Sequence, residues 1–244
     1  MTDVPILDLQ RYLAILGLYD PDRLDGDWGT RTATAVHRYC DWQRIYGSER
    51  QLFEAIKQSA RAVMPETDWT QVAGGQARTN AFVAACTDCC RKMGLGEAAQ
   101  IAYVIATAEH ETGGRDFLPN READHVPSPP KAEQYRRNLR YYPYYGRGLI
   151  HWTWERNYAM AEAMLELPLR AQPDIALIPQ VALFLLVWTM RTGKATGVAL
   201  PQFVGDGKID FRAARAVVNG ADQQDRIANM AEQWLKHLTQ EMAA

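Results

Sequence analysis

Apolar side chains recur at helical spacing along most of this chain, and alternation with a period of two is nearly absent. In the first segment, Ile6, Leu9, Leu13 and Leu16 follow one another at intervals of three or four residues. Gly17 comes directly after them, as a glycine does where a helix ends. The pattern predicts an all-α, or mainly α, protein without a substantial sheet.

The helical segments divide into two groups. Residues 1–64 predict a compact unit of three helices, and residues 65–78 predict a linker because Pro65 and Gly74-Gly75 interrupt helices there. Residues 79–244 predict a second domain. Its expected helices lie at about 79–93, 97–112, 155–166, 179–191, 210–218 and 222–242.

Charge and hydropathy exclude several classes of protein. The formal net charge of the 244 residues is −2, so no bulk positive charge is available for binding nucleic acid. The longest apolar run, Val181 to Trp188, is too short to cross a bilayer, and no membrane insertion is expected. The first residues are acidic where a signal peptide is basic, which predicts a protein made in a cytoplasm and not exported by that route.

The four cysteines predict no metal site and no disulfide. Cys86, Cys89 and Cys90 share one helical segment, Cys40 stands apart, and no second ligand pair follows. Free cysteine packs as a small apolar residue, so buried free thiols are expected. No cofactor or metal is expected elsewhere either, because the second histidine of an HExxH zinc site beginning at His110 would have to stand at Gly114.

Glu111 is the first candidate catalytic residue. In the helix expected at 97–112, Ile101, Val104 and Ala108 share one face, and Glu111 lies at the edge of that face just before a Gly-Gly pair. Apolar surroundings raise the pKa of a carboxyl group, which suits a general acid at neutral pH. The alternative is a solvated residue at a helix end, and Glu109 flanks the other edge of the same face.

A second carboxyl group follows eleven residues later at Glu122, in a polar, proline-rich stretch over 120–143 that predicts a long irregular loop. Two carboxyl groups facing one another across a cleft can cleave a glycosidic bond, one protonating the leaving oxygen and the other activating water. Asp116 and Asp124 are alternatives to Glu122 that spacing leaves open.

The segment from Tyr141 to Tyr158 is rich in tyrosine and tryptophan. Aromatic faces stack on sugar rings, and side chains such as Arg147 supply hydrogen bonds to hydroxyl and acetamido groups, although aromatic core packing is the alternative. The Thr153 hydroxyl is a candidate for holding a water. Three arginines before this segment are expected to face solvent: Arg136, Arg137 and Arg140.

Several motifs together resemble the family-19 chitinases and related phage endolysins. They are His110-Glu111-Thr112-Gly113-Gly114, Tyr144 to Trp154 (YYGRGLIHWTW), Asn157-Tyr158, Val218-Asn219-Gly220 and Asp225-Arg226-Ile227. The resemblance covers about residues 79 to 240. It implies a lysozyme-like, mainly α fold with a cleft between two lobes, and an inverting reaction in which water attacks the sugar directly.

The same resemblance implies roles for individual residues. Glu111 matches the general acid, Glu122 the second carboxylate, and Thr153 a residue that helps hold the attacking water. His151 stands where the family has a sugar-contacting glutamine, so chitin specificity is in doubt. The remaining matches, at cleft or carboxylate-network positions, are Tyr145, Asn157, Asn219 and Arg226.

The first domain resembles a three-helix peptidoglycan-binding module. The residues that carry the resemblance are Leu9-Gln10, Leu13, Leu16-Gly17, Asp25-Gly26-Asp27-Trp28-Gly29, Thr32, Ala35-Val36 and Tyr39. A generic helical hairpin is the alternative, and it would require the turn and both apolar stripes to coincide by chance.

The two resemblances together predict a phage endolysin of the muramidase type, which lyses the host after release from its cytoplasm to the cell wall. Its partners are expected to be peptidoglycan glycan strands, and the chain is expected to be a monomer. The alternatives are a chitinase acting on N-acetylglucosamine polymers and a non-catalytic wall-binding protein.

Overall fold

The structure is a computed structural model that describes residues 4–218, 220 and 222–241. Within these residues it contains nine α-helices, a few short 3₁₀ segments and two small sheets, each formed by a pair of two-residue strands. The prediction of a mainly α fold is confirmed.

The first three helices form the N-terminal unit, and they are α1 (Ile6–Ile15), α2 (Thr30–Gln43) and α3 (Glu49–Ala62). Gln10, buried in α1, ties the loop before α2 to this unit. Its side-chain amide donates to Asp25 and Thr32 and accepts from the Gly26 amide. Ser48 begins α3 through a reciprocal capping box with Gln51, which satisfies two helix-end amides.

Six further helices follow: α4 (Gln76–Lys92), α5 (Ala98–Thr112), α6 (Pro129–Arg137), α7 (Glu155–Leu165), α8 (Pro179–Thr192) and α9 (Gln224–Glu241). Helix α5 lies at the centre and is buried continuously from Ala99 to Ala108. It packs along α9 and also contacts α4 and α8. Its end at Gly113, which takes a φ of 76°, brings Glu111 to the margin of the core.

Two small antiparallel sheets position the loops between the helices. Strand β1 (Asn120–Arg121) pairs with β2 (Arg147–Gly148), and β3 (Val204–Gly205) pairs with β4 (Lys208–Ile209) in a hairpin. The β1–β2 pair joins the beginning of the polar loop to the aromatic segment, so residues far apart in sequence meet.

Two sequence-based expectations about local structure were wrong. The stretch over 120–143 contains helix α6, which begins with Pro129 and Pro130 because a proline is tolerated in the first turn, where its missing amide has no helical partner. The helix expected at 210–218 is instead a short 3₁₀ segment, Ala213–Val217.

The N-terminal unit packs directly on the rest of the chain. The buried Trp188 indole in α8 donates to the Ala14 carbonyl oxygen at 2.8 Å. A Cβ added at Gly17 would lie 3.0 Å from Thr192, so the two parts approach closely there. The division at 1–64, 65–78 and 79–244 stays a prediction, and these contacts show that the two predicted domains share a packed boundary.

The expectation of buried free thiols is confirmed, because Cys40, Cys86, Cys89 and Cys90 are all free and buried. Burial raises the pKa of the Cys89 and Cys90 thiols well above the usual value. Among the described residues, no helix is long and apolar enough to span a bilayer.

Candidate active site

Glu111 lies in the last turn of α5 with only 14% of its side chain exposed. Its Oε1 accepts a hydrogen bond of 3.0 Å from Nη1 of Arg215, whose side chain is 4% exposed. The sequence predicted apolar surroundings for this carboxyl group, whereas the structure pairs it with a buried guanidinium. This contact fixes the orientation of the carboxyl group and leaves Oε2 directed toward another partner.

Glu109, the other glutamate near this face, has a different role. Its Oε2 accepts from the Trp234 indole at 2.7 Å, and its Oε1 pairs with Arg115 at 3.1 Å. The contact with Trp234 joins α5 to α9. Glu109 is thus engaged in helix packing, whereas Glu111 contacts the His151 loop, and Glu111 stays the predicted general acid.

His151 is the partner of the second Glu111 oxygen, with Nδ1 lying 3.7 Å from Oε2. Its Nε2 lies 2.8 Å from Oδ1 of Asn120 in β1. The backbone around it is a tight loop, since Arg147 and Trp152 exchange both backbone hydrogen bonds and His151 takes a φ of 49°. This loop projects the imidazole between the end of α5 and strand β1.

Glu122 is held on the other side of the same loop. Its Oε2 accepts from the Gly146 amide at 3.1 Å, and its Oε1 accepts from the Tyr141 hydroxyl at 2.9 Å. A Cβ at Gly146 would lie 2.8 Å from the His151 Cβ, so this glycine permits the close approach of the two segments.

The two alternatives to Glu122 have other partners. Asp116 contacts Arg78 and the Gly75 amide at the predicted linker. Asp124 accepts from the Arg121 amide at 2.8 Å and from Arg136 at 3.0 Å. Neither contact involves the His151 loop, so Glu122 is the better candidate for the second carboxylate.

The two candidate carboxyl groups therefore both meet one small structural unit. Glu111 contacts the His151 imidazole, and Glu122 binds the amide of Gly146, against which His151 packs. Glu111 and Glu122 both reach this unit because the pairing of β1 with β2 brings the beginning of the polar loop onto the aromatic segment.

Thr153 and Asn157 lie beside this unit. The Thr153 hydroxyl donates to the His151 carbonyl oxygen at 2.5 Å. The side-chain amide of Asn157 donates to the Thr153 carbonyl oxygen at 2.7 Å. Both residues line a pocket of about 200 Å³, together with His151 and Trp154. Ile150, Trp152 and Val218 also line this pocket, so its wall is partly apolar, and neither Glu111 nor Glu122 belongs to it. His151 links the pocket to the candidate carboxyl groups, and its volume is sufficient for water.

Arg147 and Tyr145 lie in the interior. Arg147 is 4% exposed and donates to Asp174 and to the carbonyl oxygens of Pro143 and Tyr145. Its guanidinium stacks 3.7 Å from the centre of the Tyr145 ring, and Tyr145 is 6% exposed. Both residues were predicted to contact substrate, but the observed contacts are those of residues that position the aromatic segment.

The remaining predicted residues are dispersed. Arg226 is exposed on the first turn of α9 and contributes charge near His110. Asn219 lies outside the described residues. The expectation of solvent exposure was wrong for Arg136, which is buried and donates to the Glu122 carbonyl oxygen and to Asp124, whereas Arg137 and Arg140 are exposed.

Sequence reasoning missed Arg215 and Asn120. Arg215 is a single cation within the apolar run Ala213–Val217, and that isolation was an available signal for a buried charged contact. Asn120 carried no signal, because its contact with His151 depends on strand pairing.

Burial lowers the pKa of His110, which lies next to Glu111 in the chain. Its Nδ1 is buried without a hydrogen-bond partner. No group of three or more potential metal ligands occurs among the residues described by the structure.

Tyr141 is a permanent hydrogen-bond donor to Glu122 near neutral pH. Burial, followed by the neighbouring Glu122 carboxylate, raises the pKa of the Tyr141 phenol to about 12. A pKa raised in the folded state adds stability that is full below the unfolded value of about 10 and is lost as the pH rises through 12.

We expect Tyr141→Phe to lower the free energy of unfolding by about 1 kcal/mol at pH 8, since one hydrogen bond to a carboxylate is removed. The difference from the wild type should shrink as the pH rises from 10 to 12. Urea denaturation at a series of pH values measures this difference in the free energy of unfolding. Tyr46→Phe, at an exposed tyrosine, should show no such difference, and an equal pH dependence in both variants would contradict the assignment.

Comparison with known proteins gives one similarity. The chain is 34% identical over 115 residues to an endochitinase of Arabidopsis thaliana, an alignment covering 44% of this chain and 38% of that protein. The aligned part is thus well under half of the plant protein. No family model matches the chain. No solved structure matches it either.

Proposed function

We propose that this protein is a glycoside hydrolase that cleaves the β-1,4 bonds of bacterial peptidoglycan, in the manner of a muramidase. The observation that carries the proposal is the meeting of Glu111 and Glu122 at the His151–Gly146 unit. The similarity to an endochitinase supports hydrolysis of a glycosidic bond in general.

The proposed reaction uses the two carboxyl groups in different states. Arg215 holds Oε1 of Glu111, so the proton to be donated is carried by Oε2. That proton passes to the glycosidic oxygen as the bond to the anomeric carbon breaks. Glu122 takes a proton from a water that attacks the anomeric carbon from the opposite face, and the product inverts configuration.

Neighbouring groups support these roles. Tyr141 and the Gly146 amide both donate to Glu122, and these two hydrogen bonds fix the orientation of its carboxyl group. The Thr153 hydroxyl and the Asn157 side chain line the adjoining pocket, where a water could be oriented. The reaction needs no metal or cofactor, since both proton transfers use side chains.

The biological setting is part of the same proposal. The resemblance of residues 1–64 to a peptidoglycan-binding module favours the cell wall as the substrate, because attachment raises the local concentration of glycan at the active site. We assign the protein to the endolysins, and we propose that it acts as a monomer on the wall of the host at the end of phage infection.

Chitin hydrolysis is the second candidate, and the partial similarity to the plant endochitinase is the reason to test it. The experiment is to incubate the protein with purified sacculi and, separately, with chitin oligosaccharides, and to identify new reducing ends by mass spectrometry. N-acetylmuramic acid at the reducing end is the expected product.

Other products would overturn particular parts of the proposal. N-acetylglucosamine ends from sacculi would change the bond that is cut, and anhydro-muramyl ends would replace hydrolysis by transglycosylation. Cleavage of chitin alone would establish the chitinase. Binding to sacculi without cleavage would indicate a wall-binding protein.

A further inference from the structure

The pocket at Thr153 continues toward the N-terminal unit. A second pocket, of about 310 Å³, shares Trp154, Asn157 and Ala195 with it and also contains Asp22, Arg156 and Lys194. Asp22 belongs to the short 3₁₀ helix Pro21–Arg23 of the N-terminal unit. The wall of this second pocket is therefore built from both predicted domains.

Charged contacts hold the boundary together at this point. Lys194 lies 2.7 Å from Asp20 and 3.2 Å from Asp22, and Arg156 lies 2.7 Å from Asp22. Ion-pair partners lower the pKa of both aspartates despite an opposing effect of burial. With the buried Trp188 contact to Ala14, these pairs fix the N-terminal unit in one orientation beside the candidate active site.

A third pocket, of about 270 Å³, is lined by Asp20, Arg31, Thr34 and Arg38 among others. It shares no lining residue with the second pocket, but Lys194 of the second pocket contacts both Asp22 there and Asp20 of the third. The second and third pockets therefore border the same group of ion pairs.

We propose that these pockets form one continuous binding track for a long glycan strand, which the active site and the N-terminal unit hold at the same time. The inference rests on the proposed function and adds to it a preference for long chains. Exposed Trp154 offers an aromatic surface for a sugar ring near the active site. Exposed Arg31, Thr34 and Arg38 offer donors for hydroxyl, acetamido or carboxylate groups at the far end.

The chemistry of the track favours a glycan over an apolar ligand. Its junction consists of Asp22, Arg156 and Lys194, and 78% of the Arg156 side chain is exposed. Because the two parts are packed rigidly, a strand bound to both loses little additional freedom at the second contact. A flexibly attached N-terminal unit would only increase the local concentration of glycan. A rigid track also sets the register of the glycan strand in the active site.

The test is the dependence of kcat/KM on chain length, measured with short soluble oligosaccharides and with long glycan strands. Arg38→Ala removes a donor at the far end, and Thr34→Trp fills the third pocket. Both residues are exposed on α2, so the fold should tolerate these changes. We expect the ratio of kcat/KM for long over short substrate to fall about tenfold in each variant.

Arg61→Ala is the matched control, because Arg61 is an exposed arginine of the same unit that does not line the track. Its ratio should equal that of the wild type. An unchanged ratio in Arg38→Ala and Thr34→Trp would overturn the track.

A binding measurement separates this inference from the proposed reaction. If the wild type cleaves no glycan, the hydrolase proposal fails. Co-sedimentation with insoluble peptidoglycan then tests whether the proposed track binds glycan. Reduced sedimentation of Arg38→Ala and Thr34→Trp relative to Arg61→Ala would support it. Equal sedimentation of all three variants would reject it.

Discussion

Glu111→Gln and Glu122→Gln should each reduce the rate of glycan hydrolysis by at least a hundredfold, while binding to insoluble peptidoglycan stays at the wild-type level. Loss of a general acid or base costs about 10²- to 10⁴-fold in rate. Glutamine keeps the shape of each side chain but neither donates nor accepts the proton required. The measurement is the initial rate of release of reducing ends, together with co-sedimentation.

Glu109→Gln provides the matched control, because Glu109 lies in the same helical turn with the same 14% side-chain exposure. Its glutamine oxygen can still accept from Trp234, so activity should remain close to that of the wild type. Full activity in Glu111→Gln would show that Glu111 is not the general acid. Full activity in Glu122→Gln alone would leave the acid in place and require another base.

The second large effect is expected on stability, at Arg147. Arg147→Met keeps much of the side-chain volume but removes the donors to Asp174, Pro143 and Tyr158. Because the guanidinium is 4% exposed, water does not readily replace these contacts. We expect the free energy of unfolding to fall by about 3 kcal/mol, as measured by urea denaturation.

Arg137→Met serves as the control for Arg147→Met. The Arg137 side chain is 67% exposed and pairs with Glu133 on the surface of α6, so its replacement should change the free energy of unfolding by less than about 0.5 kcal/mol. Similar losses in the two variants would contradict a structural role for Arg147 in particular.

Arg147 also connects stability to the candidate site. It stacks on Tyr145 and fixes the loop between residues 143 and 152, from which the Gly146 amide donates to Glu122 and His151 reaches Glu111. Loosening of this loop would displace both the Gly146 amide, which contacts Glu122, and the His151 imidazole, which contacts Glu111. The buried part of the aromatic segment therefore acts chiefly as the support of the candidate site, whereas Trp154 is exposed.

Much of the helical architecture followed from local patterns. The apolar stripe of α1 and the Gly-Gly stop after α5 predicted helix ends to within a few residues, because side-chain periodicity and helix termination are local properties. Helix α6 was missed for the same reason, since its prolines and charged residues resemble a loop locally. Its formation depends on the burial of Arg136 and Ala132 against the rest of the protein.

The sequence by itself determined that the chain is mainly helical, that its cysteines are free and buried, and which carboxyl groups to consider. Tertiary structure decided the partners of those carboxyl groups. Glu111 contacts Arg215 and His151, and Glu122 accepts hydrogen bonds from Gly146 and Tyr141. It also placed Arg147 inside the protein. The physical reason is the distance in sequence over which each property is determined. Helix formation depends on neighbours within a few residues, whereas these contacts join residues up to 104 positions apart.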